Sequence, residues 1–377
     1  MTRRKAGPVP PARKLRGGFS LIELLIAIAI VAFVLSAASA FFIMSVKQYK
    51  LQSKIVETNV EGVIGLELFR RDLENLGFGL PWNNLPTSAA LYSERTAAGL
   101  AALNDFPNPP RAVISIDCAA FTLNQSDYLV IKAASVGMDN AAGKWTTLTQ
   151  TDTRRPWTPA EENLVNNDIV IVLSLGSTDA NRRSLVNSGG PYTLFNNTAG
   201  FVPVEPFSAN IIYGIDSDGT TPVRPFNRAD YYIANAASTP PVTVPQRCAT
   251  NTGVLVKAVV AHDANGTTPN PLPLLDCVAD MQVVFGLDTD ADGAVNTWSP
   301  DISVGLTAAN IRTQLVEVQA YILAQEGLAD NTYTHTQNPI YVGSASVGSG
   351  RNFNITGFLN YRWKLYTIVV KPRNLAQ

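Results

Sequence analysis

Between Phe19 and Val46 the chain has one ionisable side chain, Glu23, set in a proline-free run of Leu, Ile, Val, Ala and Phe. A helix needs about 20 apolar residues to cross a bilayer, and this run is longer. A carboxylate at mid-membrane costs about 2.5–3.5 kcal/mol, so Glu23 calls for a partner. Residues 1–18 carry six basic side chains (Arg3, Arg4, Lys5, Arg13, Lys14 and Arg16) and no acid. A secretory signal peptide has its small-residue cut site behind the apolar stretch, whereas here Gly17 and Gly18 stand in front of it. A plain signal anchor would have no use for the acid.

Removing the six basic residues of that leader leaves 23 of the chain's 29 against 30 acidic ones. A basic leader before an acidic body sets the orientation by the positive-inside bias, with the body outside the cytoplasm. Nothing in an acidic body favours nucleic acid. Beyond the apolar run the helical period persists through Ile55, Val63, Leu66, Phe69, Leu73 and Leu76, and Gly77, Gly79 and Pro81 then stop it. The second half of such a helix has to pack on something outside the bilayer.

From Pro81 to Arg111 the composition reads as a loop-bearing insertion. Strand-like runs follow at 112–116, 128–133, 168–174, 210–215, 230–234, 253–260, 282–287, 315–324 and 363–370, rich in Val, Ile and Tyr and bounded by Asn, Asp, Gly and Pro. The exported body is therefore mainly β. The Gly/Ser stretch from Val342 to Gly350 reads as a flexible loop before the last strand.

Three cysteines, Cys118, Cys248 and Cys277, are widely spaced and form no C-x-x-C pair, which argues against zinc. In an oxidising compartment two of them can bond, and Cys248 and Cys277 are the nearer pair; the alternative is three buried thiols. Asp288-Thr-Asp290-Ala-Asp292-Gly293 has the spacing of a Ca²⁺ loop, with oxygen ligands at positions 1, 3 and 5 and glycine at 6. The carbonyl of Ala294 and the side chain of Asn296 would fall at positions 7 and 9, but Ser299 stands where such a loop has Glu. Asp and Gly also make turns unaided, so an acidic turn without metal remains the alternative. Asp216-Ser-Asp218-Gly219 and Asp263-Ala-Asn265-Gly266 lack the third acid and read as turns.

Enzyme chemistry finds little support. His262 and His335 are the only histidines and read as surface residues, and neither G-x-S-x-G, H-E-x-x-H nor a phosphate-loop signature occurs.

The string Gly18-Phe19-Ser20-Leu21-Ile22-Glu23, behind Arg13, Lys14 and Arg16, resembles the type IV prepilin signature. The resemblance implies cleavage after Gly18 by a prepilin peptidase, methylation of the new amino terminus at Phe19, and a registry role for Glu23. It also implies an α+β fold, with a long N-terminal transmembrane/amphipathic helix packed on a mainly antiparallel β-sheet body. The expected organisation is a leader over 1–18, a helix over 19–78 with its membrane half at 19–46, and a β-rich exported head over 79–377. Where many major pilins have a bending glycine and proline, this chain has Ala32 and Ala40. The stretches 67–79, 274–288 and 361–367 are similar to the PilW class of minor pilin, itself laid out like the J-type pseudopilin of type II secretion.

A PilW-type minor pilin would be a non-enzymatic structural subunit that initiates a type IV pilus or sits at its tip. Its implied partners are the peptidase, other major and minor pilins, an inner-membrane assembly platform and a large tip adhesin. It would lie in the inner membrane with its body periplasmic before assembly, and in the extracellular fibre afterwards. Two alternatives stand beside this: a type II secretion pseudopilin, which neighbouring genes would distinguish, and a membrane-anchored periplasmic binding module or enzyme, which a pocket with convergent polar groups would favour.

Overall fold

The computed structural model describes residues 20–375 apart from 98, 118–120, 177, 179–181 and 217–220. Gly18, Phe19, the rest of the leader, Cys118 and all but the first residue of the Asp216 turn lie outside the described residues. The chain divides into two compact units, Met1–Ser53 and Lys54–Gln377. Helix α1 (Leu21–Glu74) begins in the first and ends in the second.

In the first unit the side chains of residues 20–50 are exposed on every side of the helix. Leu21–Val56 is long and apolar enough to cross a membrane. A helix that is hydrophobic all round and covered by nothing is a poor water-soluble element but a natural bilayer span.

Among the described residues the second unit holds fifteen strands: β1 (Val113–Asp117), β2 (Asp127–Lys132), β3 (Trp145–Thr149), β4 (Ile169–Leu175), β5 (Arg182–Leu185), β6 (Thr193–Leu194), β7 (Ala209–Gly214), β8 (Arg228–Ala234), β9 (Gly253–Val259), β10 (Leu272–Leu287), β11 (Thr297–Ser299), β12 (Leu315–Glu326), β13 (Ile340–Ser344), β14 (Ser349–Phe353) and β15 (Arg362–Val370). A short helix, α2 (Ala308–Gln314), precedes β12. The main sheet runs β1-β2-β8-β9-β10-β12-β15, with β11 paired to β10, and every pairing in it is antiparallel.

The last turns of α1 lie on one face of this sheet. Leu66, Phe69, Leu73 and Leu76 are buried among Leu129, Tyr231, Leu255, Met281, Ile322 and their neighbours. Each such side chain stabilises by about 1.5–3 kcal/mol. Close approach is possible because Gly65 lacks a side chain: a Cβ there would strike the main chain of Leu274 in β10. Asp72 is buried at the same interface, where it accepts hydrogen bonds from Lys257 Nζ (2.7 Å) and the Tyr231 hydroxyl (2.5 Å). Tyr231 is held well above the usual phenol range by burial and by the adjacent Asp72 charge. Gly77, with φ of +71°, then turns the chain off the helix, and its N–H donates to the Lys132 carbonyl.

Strands β2 and β8 are antiparallel neighbours that a tight turn could join, yet residues 133–227 intervene. They form a second sheet, ordered β3-β7-β4-β5 with β6 on β4, with its own buried residues Leu148, Val170, Val172 and Ile212 on one face and Ile171, Leu173 and Tyr213 on the other.

All nine expected strands are present; of the six others, β5, β6 and β11 are two to four residues long, too short to carry an alternation. Strand β10 starts ten positions before the expected Gln282, because register shifts between Pro273 and Val278 break its periodicity and Cys277 has φ of +56°. The expected flexible loop over 342–350 is a correction: it is the hairpin β13–β14, in which Gly343 and Gly350 oppose each other where a Cβ would meet the facing main chain. Among the described residues of 81–111 there is no strand, but the segment is no mere surface insertion: Tyr92, Glu94, Arg95, Leu100, Leu103 and Asp105 are buried in the head.

Candidate functional site

At the start of α1, Glu23 Oε2 accepts the Ser20 N–H at 3.0 Å and Ser20 Oγ accepts the Glu23 N–H at 3.2 Å. This reciprocal pair is a capping box, which satisfies two of the N–H groups a helix start leaves open. The Ser-x-x-Glu spacing is the sequence sign of it, and it identifies Ser20 as a residue that works with Glu23. The acid also sits in the first turn, at the positive end of the helix dipole. The box holds the carboxylate beside the position that follows Gly18 and Phe19 in the chain, both outside the described residues.

The acidic loop spans 288–296 and joins β10 to β11, whose nearest paired residues are Leu287 and Thr297. Asp288 Oδ1 accepts the N–H groups of Ala291 (2.7 Å) and Asp292 (3.3 Å), and Oδ2 accepts that of Gly293 (2.7 Å). These bonds, led by that from Gly293, hold the Asp288 carboxyl below its ordinary range. Asp292 Oδ1 accepts the Ala294 N–H at 2.8 Å. The side-chain oxygens of Asp288, Asp290 and Asp292 come within 4.8 Å of one another. Asn296 Oδ1 accepts from the N–H (3.1 Å) and hydroxyl (3.0 Å) of Thr289. Three carboxylates converge, as hard-cation ligands do, on a loop whose main chain already organises two of them.

Cys248 and Cys277 are bonded to each other across 29 positions of sequence. The bond ties the segment after β8 to the irregular part of β10.

A third group of residues escaped the sequence reading. Lys132 ends β2 and Arg228 begins β8, and the two are paired directly across the sheet at the stem of the insertion. Both are completely buried. Like charges in that register repel, and Glu94 lies between them, 2.6 Å from Lys132 Nζ and 2.8 Å from Arg228. Asp105 bridges Lys132 and Arg111, and Asp230 binds Arg228 at 2.8 Å and Arg95 at 3.0 Å. Asp230 is held below the usual carboxylate range against the effect of its burial, chiefly by Arg228. The alternation Arg228-x-Asp230 within an apolar strand was the available signal. Such a fully paired network holds a structure in one arrangement and offers no free nucleophile or base.

His262 corrects the surface assignment. It is buried beside this network, with Nδ1 accepting the Val223 N–H at 3.3 Å and Nε2 facing Asn227 Oδ1 at 3.4 Å. Burial first, and the Arg224 charge second, hold it well below its ordinary pKa of 6.5. Arg224 itself is pushed down to about 10 by burial. His335 is half-buried, within reach of the Tyr333 hydroxyl at 3.1 Å.

Comparison with known proteins places two parts of the chain. Residues 13–39 match the prokaryotic N-terminal methylation motif, and residues 230–374 match the family described as Type IV Pilus-assembly protein W. Among solved structures, a type IV-like pilin from Thermus thermophilus is similar at 14% identity over 40% of this chain and 70% of that one, with a TM-score of 0.22. No curated protein matches the chain.

Proposed function

We propose that this PilW-type minor pilin, a structural subunit processed at its N-terminal methylation motif and assembled with other pilins, initiates its fibre or caps it as a low-copy component. The observation that carries the proposal is the apolar helix of residues 21–50, uncovered on every side, with Glu23 as its only acid before the first basic residue, Lys47. Apolar side chains on all faces suit a bilayer first and a bundle of like helices later.

In this reading the peptidase cuts after Gly18, and the body waits on the periplasmic side, held by residues 19–46. The methylated amino terminus of Phe19 on one subunit meets Glu23 on the next. Two charges that are separately costly in hydrocarbon neutralise each other, and that pairing fixes the axial register. The capping box orients Glu23 before a neighbour arrives. A head with a second, inserted sheet is bulky for a close-packed shaft, which favours the end of a fibre. The assembly platform is the machine that would extract the helix, and a large adhesin is a candidate neighbour at the tip. Within the head we read Asp288, Asp290 and Asp292, with the Ala294 carbonyl and Asn296, as a Ca²⁺ site that stiffens the β10–β11 connection.

The test is Glu23→Leu in a strain lacking the native gene. The variant inserts, since it removes a charge from the span, but leaves the neighbouring amino terminus unpaired and fails to restore surface fibres counted by electron microscopy. Full restoration by Glu23→Leu overturns the registry role, and normal fibre number in the deletion strain overturns initiation.

A further inference from the structure

The inserted segment 133–227 lies outside both family matches and is not needed to join β2 to β8. Its edge strand β3 opens with Trp145, and Trp157 packs against that residue with ring centroids 4.7 Å apart and planes tilted by 57°. The two half-buried indoles border a cleft of about 180 Å³ whose other walls are Gly143, Lys144, Thr158 and Glu162. Trp157 is fixed in place from three sides. Its Nε1–H donates to the Trp145 carbonyl at 2.6 Å, its main chain is clasped by the Asn163 amide through bonds of 2.7 and 2.9 Å, and the Arg155 guanidinium stands 4.4 Å over its ring. Lys144 Nζ is held at the rim by Asn140 Oδ1 and the Asn163 carbonyl, each at 3.1 Å. Thr158 and Glu162 are exposed.

A held aromatic surface costs little side-chain entropy when a ligand settles on it. The cleft is smaller than the roughly 300–1,000 Å³ of a drug-sized site, and suits one six-membered ring. Hydroxyl, carboxylate and ammonium groups at its rim offer both donors and acceptors without a dominant charge. A ligand with one apolar face and a hydroxylated edge fits that arrangement. A proline-rich peptide also docks on aromatic grooves, but here the Trp157 indole N–H, one of the two that would serve its carbonyls, is already committed to the Trp145 carbonyl.

We propose that the Trp145–Trp157 cleft is a saccharide site that takes one pyranose ring of a glycan, with C–H groups of the ring against the indoles and its hydroxyls on Glu162, Thr158 and Lys144. The proposal does not depend on where the chain sits in a fibre.

The test uses the full chain in a zwitterionic detergent, since a sugar-headed detergent would compete. Tryptophan fluorescence and calorimetry are followed while glucose, galactose, mannose, N-acetylglucosamine and their short oligomers are added up to about 50 mM, the range needed to see millimolar affinity. Saturable binding of at least one of these, weakened tenfold or more by Trp157→Ala and severalfold by the exposed Glu162→Gln, with an unchanged unfolding midpoint in the second variant, supports the site. Oligomers that bind more tightly than the monomer point to a polymeric glycan, and equal affinities point to a free sugar. No saturable signal from any sugar overturns the proposal. So does binding unaffected by Glu162→Gln and Trp157→Ala, or binding of a polyproline peptide alone.

Discussion

Gly65→Ala probes how the helix meets the sheet. Alanine is the better helix former by about 1 kcal/mol, so helix propensity alone says the change stabilises. The structure says the opposite. The new methyl would sit 2.5 Å from the Leu274 carbonyl carbon and 2.8 Å from its Cα, nearer still to its oxygen, and ordinary contact begins at 3.4 Å. The obstacle is main chain of a central strand, the Leu274 oxygen being the tightest contact, so no rotamer change relieves it and α1 has to lift away from β10 at that point. Overpacking of this kind costs about 1–3 kcal/mol, and with Leu66 and Phe69 adjoining the site the upper part of that range applies. After the propensity gain, a net loss of about 2 kcal/mol remains. Urea unfolding followed by tryptophan fluorescence should show a lower midpoint at unchanged slope. Gly62→Ala is the control, since its methyl crowds the flexible Leu275 Cδ1 at 2.9 Å, meets the Tyr366 hydroxyl at an ordinary 3.8 Å, and should be near neutral. A midpoint for Gly65→Ala equal to or above the parent protein would refute the close packing of α1 on β10.

Three further outcomes follow from the head. If the Asp288 loop holds Ca²⁺, saturation at about a hundred times Kd adds about 2.7 kcal/mol, seen as a melting point raised by several degrees, and Asp290→Ala removes most of that rise; no shift at millimolar Ca²⁺ leaves a turn without metal. His262 has a folded pKa depressed below 6.5, so its contribution to stability is complete above pH 6.5 and is lost as pH falls from there toward the folded value. Melting curves between pH 7.5 and about 5 should therefore be flatter for His262→Asn than for the parent protein, and equal slopes would contradict the buried neutral imidazole. Glu94→Gln leaves Lys132 and Arg228 facing each other without their shared anion, a loss of about 3–5 kcal/mol. Adding Lys132→Met should recover part of it, whereas strict additivity of the two changes would show that the three do not act together.

The N-terminal half of the fold was readable because its signals are local. An apolar run, its single acid and the glycines after Leu76 act on their own neighbours in sequence, and the helix ends at Glu74, within a few residues of the expected position. The strands of the main sheet other than β11 were readable for the same reason, each being rich in Val, Ile, Leu or Tyr. What escaped was decided by partners distant in sequence. The buried positions of Glu94 and Asp105 depend on Lys132 and Arg228, and nothing in the composition of 79–111 announces that its acids close the stem of an insertion. The hairpin at 340–353 reads as a linker because its glycines mark close approach between two strands rather than flexibility. His262 looked exposed beside an Asp-Asn-Gly turn, but Arg224 and Asn227 enclose it from the end of the insertion. At the site, Asp288, Asp290 and Asp292 could be picked out by spacing, whereas the binding of Asp288 to three main-chain N–H groups could not.

The central claim, a processed minor subunit carried in the fibre, is tested most directly by quantitative mass spectrometry of sheared, purified pili. The account predicts peptides of this chain at a small fraction of the major subunit, with an N-terminal peptide that begins at a methylated Phe19. Its absence from the fibres, abundance equal to the major subunit, or a leader still attached ahead of Gly18 would contradict it.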